Sequence, residues 1–280
     1  MAVIRLAAAA AHFGRDLTRS LERIGTVITA ARTAGAAMVV LPDAALGGYL
    51  ADLRSPDPDA LPPAVAPDGP EIRKIIAMAG EIIVCVGYTE RFAGHRWNSA
   101  VCLSGDGVLG RYRKVHQPPG EALVYRAGEK LAAFDTPIGR IGMLIDYDKT
   151  FPEAARTLAL DGARVIACLS AWPASVTRRA ERLTQDRQSR LFDLYDCARA
   201  AENQVVWVSS NQTGTMGGLS FLGQAKVVGP GGEILARTWA KAGLAVAELD
   251  VDAVIERARV VLHHLTERRP ELYAEGVRAP

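Results

Sequence analysis

An α/β fold is predicted by three features of the 280-residue chain. Short apolar runs of strand length alternate with segments of helical period. Apolar residues make up 49% of the chain, enough for one large core rather than two small ones. No linker or internal repeat interrupts the alternation, so residues 1–280 are expected to form one domain.

The elements follow in order. Residues 3–10 read as a first buried strand. Asp16 can cap a helix reaching about Ala34, with Leu17, Leu21, Ile24, Val27, Ile28 and Ala31 on one face and Gly35 as its stop. Ala37 to Leu41 is a second buried strand, ending in Pro42-Asp43. Residues 51–69, rich in Pro, Asp and Ala, read as a surface loop. A helix is predicted over 71–80 and a strand over 82–88. Residues 98–104 and 108–113 read as two strands joined by Gly105-Asp106-Gly107. Ile141 to Ile145 is a strand that stops at Asp146. Pro152 suits the first turn of a helix over 151–160, where its missing N–H costs nothing. A strand at 163–169, a long helix over about 176–201, a strand at 204–209 and strands near 220–228, 233–238 and 244–249 complete the pattern.

Composition excludes several classes of function. Net charge is +2, with no basic block of five or six residues, so neither nucleic acid nor a membrane surface is an expected partner. No run of 18 apolar residues suggests a membrane span, and the N-terminus lacks the basic leader of a signal peptide. The four cysteines, Cys85, Cys102, Cys168 and Cys197, have no metal-ligand spacing. Three lie in apolar runs, as buried thiols in a reducing cytoplasm would.

Three charged residues, Asp43, Lys114 and Asp146, fall where predicted strands end. Strand ends are where α/β proteins place their chemistry, and those on one side converge, which makes the three candidates for one pocket. The segments that carry them go further. Val39-Val40-Leu41-Pro42-Asp43, Leu46-Gly47-Gly48-Tyr49, Tyr112-Arg113-Lys114-Val115-His116, Gly120-Glu121, Ile141 to Arg156, Ser170-Ala171-Trp172-Pro173, Ala198 to Asn203, Ser210-Asn211 and Arg269 to Tyr273 resemble, in the same order, the nitrilase superfamily of carbon–nitrogen hydrolases. The resemblance spans nearly the whole chain. It implies a four-layer αββα sandwich assembled as a homodimer or higher homo-oligomer, with about 251–280 as a C-terminal tail used in oligomer contacts.

The family's chemistry uses a glutamate base, a lysine that stabilises the tetrahedral oxyanion, a cysteine nucleophile and a second glutamate that positions lysine and substrate. By the resemblance, Lys114 matches the lysine and Glu121 the second glutamate. Two positions depart: Asp43 stands where the first glutamate belongs, and Asp146 where the cysteine belongs. Cys168 lies inside the next strand, where its register turns it into the core, so thiolate chemistry is not expected.

Three carboxyls around one lysine should split in proton affinity, since like charges and burial each raise a carboxyl pKa. One acid would hold a proton near neutral pH while another stays ionised. Such a pair moves protons on and off nitrogen or carbon. The expected function is therefore acid/base chemistry on a small amine, imine or amide by Asp43, Lys114, Asp146 and Glu121, by cyclisation, dehydration or elimination as readily as by hydrolysis. Tyr49, Tyr147 and Trp172 are candidate substrate-binding residues, with core packing as the structural reading of each. No metal or cofactor is expected, because Lys114 opposes a cation. The alternatives are an inactive oligomeric protein or an amidohydrolase whose nucleophile has been replaced. Asp148 and Glu153 read as favourable charges at a helix start, Arg156 as a local ion-pair partner and His116 as a hydrogen-bonded structural residue.

Overall fold

The computed structural model describes residues 3–273. In chain order its strands and helices are β1 (Ile4–Ala11), α1 (Leu17–Thr33), β2 (Met38–Val40), α2 (Pro70–Ala79), β3 (Ile83–Phe92), β4 (His95–Ser104), β5 (Gly107–Arg113), α3 (Pro119–Ala122), β6 (Phe134–Thr136), β7 (Gly139–Ile145), α4 (Pro152–Leu160), β8 (Val165–Leu169), α5 (Arg187–Asn203), β9 (Val206–Ser209), β10 (Asn211–Gln212), β11 (Thr215–Met216), β12 (Leu219–Ser220), β13 (Lys226–Val228), β14 (Ile234–Arg237), β15 (Gly243–Leu249) and α6 (Val251–Arg259). One sheet runs β10-β1-β2-β3-β4-β5, with β15 also paired to β1; the second runs β14-β13-β9-β8-β7-β6.

The alternation of side chains along β1 shows how the layers are built. Leu6, Ala8 and Ala10 join the core between the sheets, where they meet Ile141, Met143 and Ile145 of β7 and the buried residues of β8 and β9. Ala7, Ala9 and Ala11 face the other way, against Ile24, Val27, Ile28 and Ala31 of α1 and Ile72 and Ile75 of α2. Alanine on both faces of this central strand lets a sheet and a helix pair approach it closely. On the far side α4 covers β7. A Cβ on Gly142 would lie 2.8 Å from Leu158 Cδ1, so the missing side chain sets that spacing. The result is the four-layer αββα sandwich. Among the described residues no helix is long and apolar enough to cross a membrane.

Most predicted elements are present, and the differences have physical causes. Asp16 caps α1 by accepting from Arg19 N at 3.0 Å. The helix predicted from 176 begins at Arg187. Asp186 accepts from Ser175 N and Oγ, Ala180 N and Gln188 N, which caps the helix and holds 175–186 as a loop. The strand at 82–88 extends to Phe92 because its ladder with β4 continues beyond Tyr88, with Glu90 opposite Trp97 and Arg91 opposite Arg96. The strand at 220–228 shrinks to Lys226–Val228. The predicted tail opens with α6, whose Val251 and Ile255 are buried in the larger apolar core; its residues 274–280 lie outside the described residues.

Candidate active site

The four charged candidates come together where strand ends from both sheets meet. Asp43 follows β2, Lys114 follows β5, Glu121 lies in the short α3 and Asp146 follows β7. The two sheets are stitched at this edge. Asp43 N donates to Ser170 O (3.2 Å) and Ser210 Oγ to Leu41 O (2.8 Å), while within the first sheet Gln212 Nε2 donates to Asp43 O (2.9 Å). Two glycines make room: a Cβ on Gly87 would lie 2.7 Å from Asp43 Cα, and one on Gly120 would lie 1.9 Å from Leu53 O. Substituting either would push the loop that carries an acid.

Lys114 is the centre. Its Nζ donates to Glu121 Oε1 at 2.7 Å and lies 3.7 Å from Asp146 Oδ2. Asp43, Lys114 and Glu121 have no exposed surface, and Asp146 keeps 5%. Asn98 Nδ2 donates to Asp43 Oδ2 at 3.0 Å. Tyr49 OH donates to the same Glu121 oxygen that Lys114 uses. Each carboxyl has one oxygen that no protein donor reaches: Asp43 Oδ1, Glu121 Oε2 and Asp146 Oδ1.

Burial is the largest influence on both aspartates. It pushes Asp43 up to about 8, with Glu121 and Asp146 adding to the rise against the opposing pull of Lys114. It pushes Asp146 up to about 6, where Lys114 and Lys149 restrain it. Burial alone would lower Lys114, but Glu121, Asp146 and Asp43 outweigh it and hold the ammonium above the ordinary lysine value. These influences favour a proton on Asp43 over one on Asp146. Cys168 is fully buried beneath this edge, and burial pushes its thiol up to about 12, so it remains a thiol.

Asp146 has a backbone φ of +49°, in the left-handed region that non-glycine residues seldom occupy. Asp148 holds this turn. Its Oδ2 accepts from Ile145 N (3.0 Å) and Tyr112 OH (2.7 Å), and its Oδ1 from His116 N and contacts His116 Nδ1 (both 2.9 Å). One buried carboxylate thus ties the Asp146 turn to the segment that carries Lys114. This corrects the reading of Asp148 as a helix-start charge and agrees with His116 as a hydrogen-bonded structural residue. Arg156 donates to Glu202 O across to α5 rather than pairing locally.

The aromatic candidates are placed differently. Tyr49 belongs to the charged cluster through Glu121. Tyr147 is half-buried beside Asp146 and meets Phe151 edge-on at 5.2 Å between ring centroids. Trp172 packs its ring against Phe192 and Tyr195, its Nε1 donates to Gln188 Oε1 at 3.0 Å, Lys149 Nζ lies 5.0 Å from the ring centroid, and its backbone N donates to Asn211 Oδ1 at 2.8 Å. Sequence reasoning missed Asn98 and Gln212, whose roles depend on partners 55 and 169 residues away. It also missed a second buried charge network of Lys149, Asp196 and Lys226.

Residues 5–259 match the family described as carbon-nitrogen hydrolase. The chain is 30% identical to a nitrilase of Pyrococcus abyssi, covering 91% of this chain and 92% of that one. It is 27% identical to an N-carbamoylputrescine amidase of Arabidopsis thaliana, covering 92% and 90%. A carbon-nitrogen hydrolase from Helicobacter pylori superposes with a TM-score of 0.83 at 24% identity, covering 97% of each chain. A variant of the amidase from Nesterenkonia sp., solved with the acetamide moiety of fluoroacetamide added covalently at its active-site cysteine, superposes at 0.75 with 23% identity, covering 96% and 95%. On the extent of the family match, the chain belongs to the carbon–nitrogen hydrolase family.

Proposed function

We propose that this chain is an enzyme acting on a small C–N compound by carboxyl acid/base chemistry, without a thiol nucleophile. The observation that carries the reading is the arrangement around Lys114. Its Nζ holds Glu121 Oε1 at 2.7 Å and lies 3.7 Å from Asp146 Oδ2, Asp43 is fully buried in the same group, and burial raises Asp43 above Asp146. Asp146, the more acidic and more exposed of the pair, takes a proton from attacking water or from an attacking amine of the substrate. The new bond forms at the C–N carbon, and the charge that gathers on its oxygen or nitrogen is stabilised beside Lys114. Asp43 delivers its proton to the departing nitrogen. When the departing group is water, the same proton inventory produces cyclisation or dehydration. Glu121, bridged to Lys114 and Tyr49, fixes the position of the ammonium.

Supporting the reading, no cysteine lies in the Asp43–Lys114–Glu121–Asp146 group, whereas the Nesterenkonia amidase structure has its covalent adduct on an active-site cysteine. Cys85, Cys102 and Cys168 are buried, and Cys197 lies on α5, away from the strand-end cluster. A purely structural role for the Lys114–Asp146 pair fits poorly with its 3.7 Å separation and with an Asp146 oxygen left without a donor. On a panel of small amides, amines and imines, Asp146→Asn and Lys114→Met should each lower turnover by at least about 10²-fold while the circular dichroism of the fold is retained. Turnover unchanged in both variants would contradict the proposal.

A further inference from the structure

Hydrogen-bond supply and demand in the cluster do not balance. Three carboxyl groups converge on one ammonium, and that ammonium's hydrogen bond goes to Glu121. Asp43 Oδ1, Glu121 Oε2 and Asp146 Oδ1 are buried and reached by no protein donor. Buried carboxyl oxygens are ordinarily satisfied, and three open acceptors in one place call for a partner that brings donors. The charge count points the same way. With all three acids ionised the group carries −2, and with a proton on Asp43 two carboxyls still face one ammonium. A neutral amide brings donors without charge, and a carboxylate brings further acceptors and further negative charge. A planar nitrogen cation brings several N–H donors together with a positive charge.

We infer that the group accepted at the reacting end of the substrate is a small N–H-rich cation: an amidinium, a guanidinium or a protonated imine or amine. This rests on the reading of the cluster as a substrate site and adds the chemical class that the site selects. Entry is past Asp146, the member of the four that retains exposed surface. Asp146 Oδ1 would accept from the cation's N–H groups, and the cation's charge would favour loss of the Asp43 proton, after which Asp43 Oδ1 accepts as well. Lys114, being positive itself, stays on Glu121 and keeps the cation toward the aspartates.

The test compares three ligands of nearly one shape and three charges: acetamidinium, acetamide and acetate. Binding to the wild-type protein is measured by isothermal titration at neutral pH and constant ionic strength, then repeated with Asp146→Asn and Asp43→Asn. The expected result is acetamidinium bound at least about tenfold more tightly than acetamide, acetate weakest, and the preference reduced in both variants. Acetamide or acetate bound as tightly as acetamidinium would overturn the inference, as would no measurable acetamidinium binding. A preference that persists in both variants would place the cation elsewhere and overturn it too. The wild-type comparison needs no variant to fold. If the inference fails while turnover of a neutral substrate still depends on Asp146 and Lys114, the proposed function stands alone. If acetamidinium binds as expected while turnover is indifferent to both residues, the proposed function fails and the binding site remains.

Discussion

Two of the buried charged clusters among the described residues are built on opposite principles. In one, Asp196 of α5 is saturated. Lys149 Nζ (2.9 Å) and Trp207 Nε1 (2.9 Å) donate to its Oδ1, and Lys226 Nζ (2.7 Å) to its Oδ2. The two ammoniums lie 3.3 and 3.8 Å from the centroid of the Phe192 ring, whose face adds a cation–π partner to each. In the other, three carboxyls share Lys114 and each retains an oxygen without a donor. The electrostatic outcomes also diverge. Burial would raise Asp196, but Lys149 and Lys226 outweigh it and hold that carboxyl below the usual range. Burial raises Asp43 and Asp146, and the single Lys114 does not cancel it. The first cluster satisfies its charges internally and locks α5 to β13 and the Asp146 turn. The second retains unmet demand at the edge where strand ends meet, as a site that binds and transfers protons requires. The two regions are coupled, since Lys149, three residues after Asp146, also restrains that aspartate.

The contrast can be broken by neutralising one aspartate in each cluster. Asp196→Asn removes the carboxylate that Lys149 and Lys226 share, leaving Lys226 with Asp193 at 3.1 Å, and should destabilise the fold by about 3–5 kcal/mol at neutral pH. Because Asp196 is held below its unfolded value, its contribution is complete above the ordinary aspartate range and is lost as pH falls through the native value. The wild-type and Asp196→Asn denaturant midpoints should therefore converge in acid. Asp43→Asn should act with the opposite sign. The native state holds the Asp43 proton more tightly than the unfolded chain between roughly pH 4 and about 8, so stability falls as pH rises across that window. Removing the charge should raise stability at pH 8 by about 1–3 kcal/mol, a Tm increase of several degrees, with little change at pH 4. Thermal melts at the two pH values check this. A destabilising Asp43→Asn at pH 8 would mean that the second cluster is as well satisfied as the first.

The scaffold was far more legible in the chain than either cluster. Ile141 to Ile145, Ala163 to Leu169 and the periodic face of α1 announce themselves, because burial on both sides of a strand or one side of a helix imposes apolar patterns. Glu90-Arg91-Phe92 and His95-Arg96-Trp97 do not read as strand, since their charged side chains interrupt the apolar pattern, although Glu90 is buried and paired with Arg113. The grouping of Asp43, Lys114, Glu121 and Asp146 came through resemblance to a family; spacing alone gave only a shared edge. Asn98, Asp148 and the Lys149–Asp196–Lys226 network were hidden for a different reason. A lysine or aspartate destined for burial has the same letter as one on the surface, and only the register of distant strands reveals its partner. Asp186 shows this locally, since its four hydrogen bonds to the backbone and Ser175 turn half of a predicted helix into a loop.

The unequal proton affinity of two buried aspartates is the centre of this account, and carbon NMR of the Asp43 and Asp146 side-chain carboxyls across pH reads it directly. Resonances are assigned by Asp43→Asn and Asp146→Asn. The expected titrations have midpoints near 8 for Asp43 and near 6 for Asp146, so that one is protonated and the other ionised at neutral pH. Two carboxyls titrating together in the ordinary aspartate range, near about 4, would leave no acid/base pair and contradict the account.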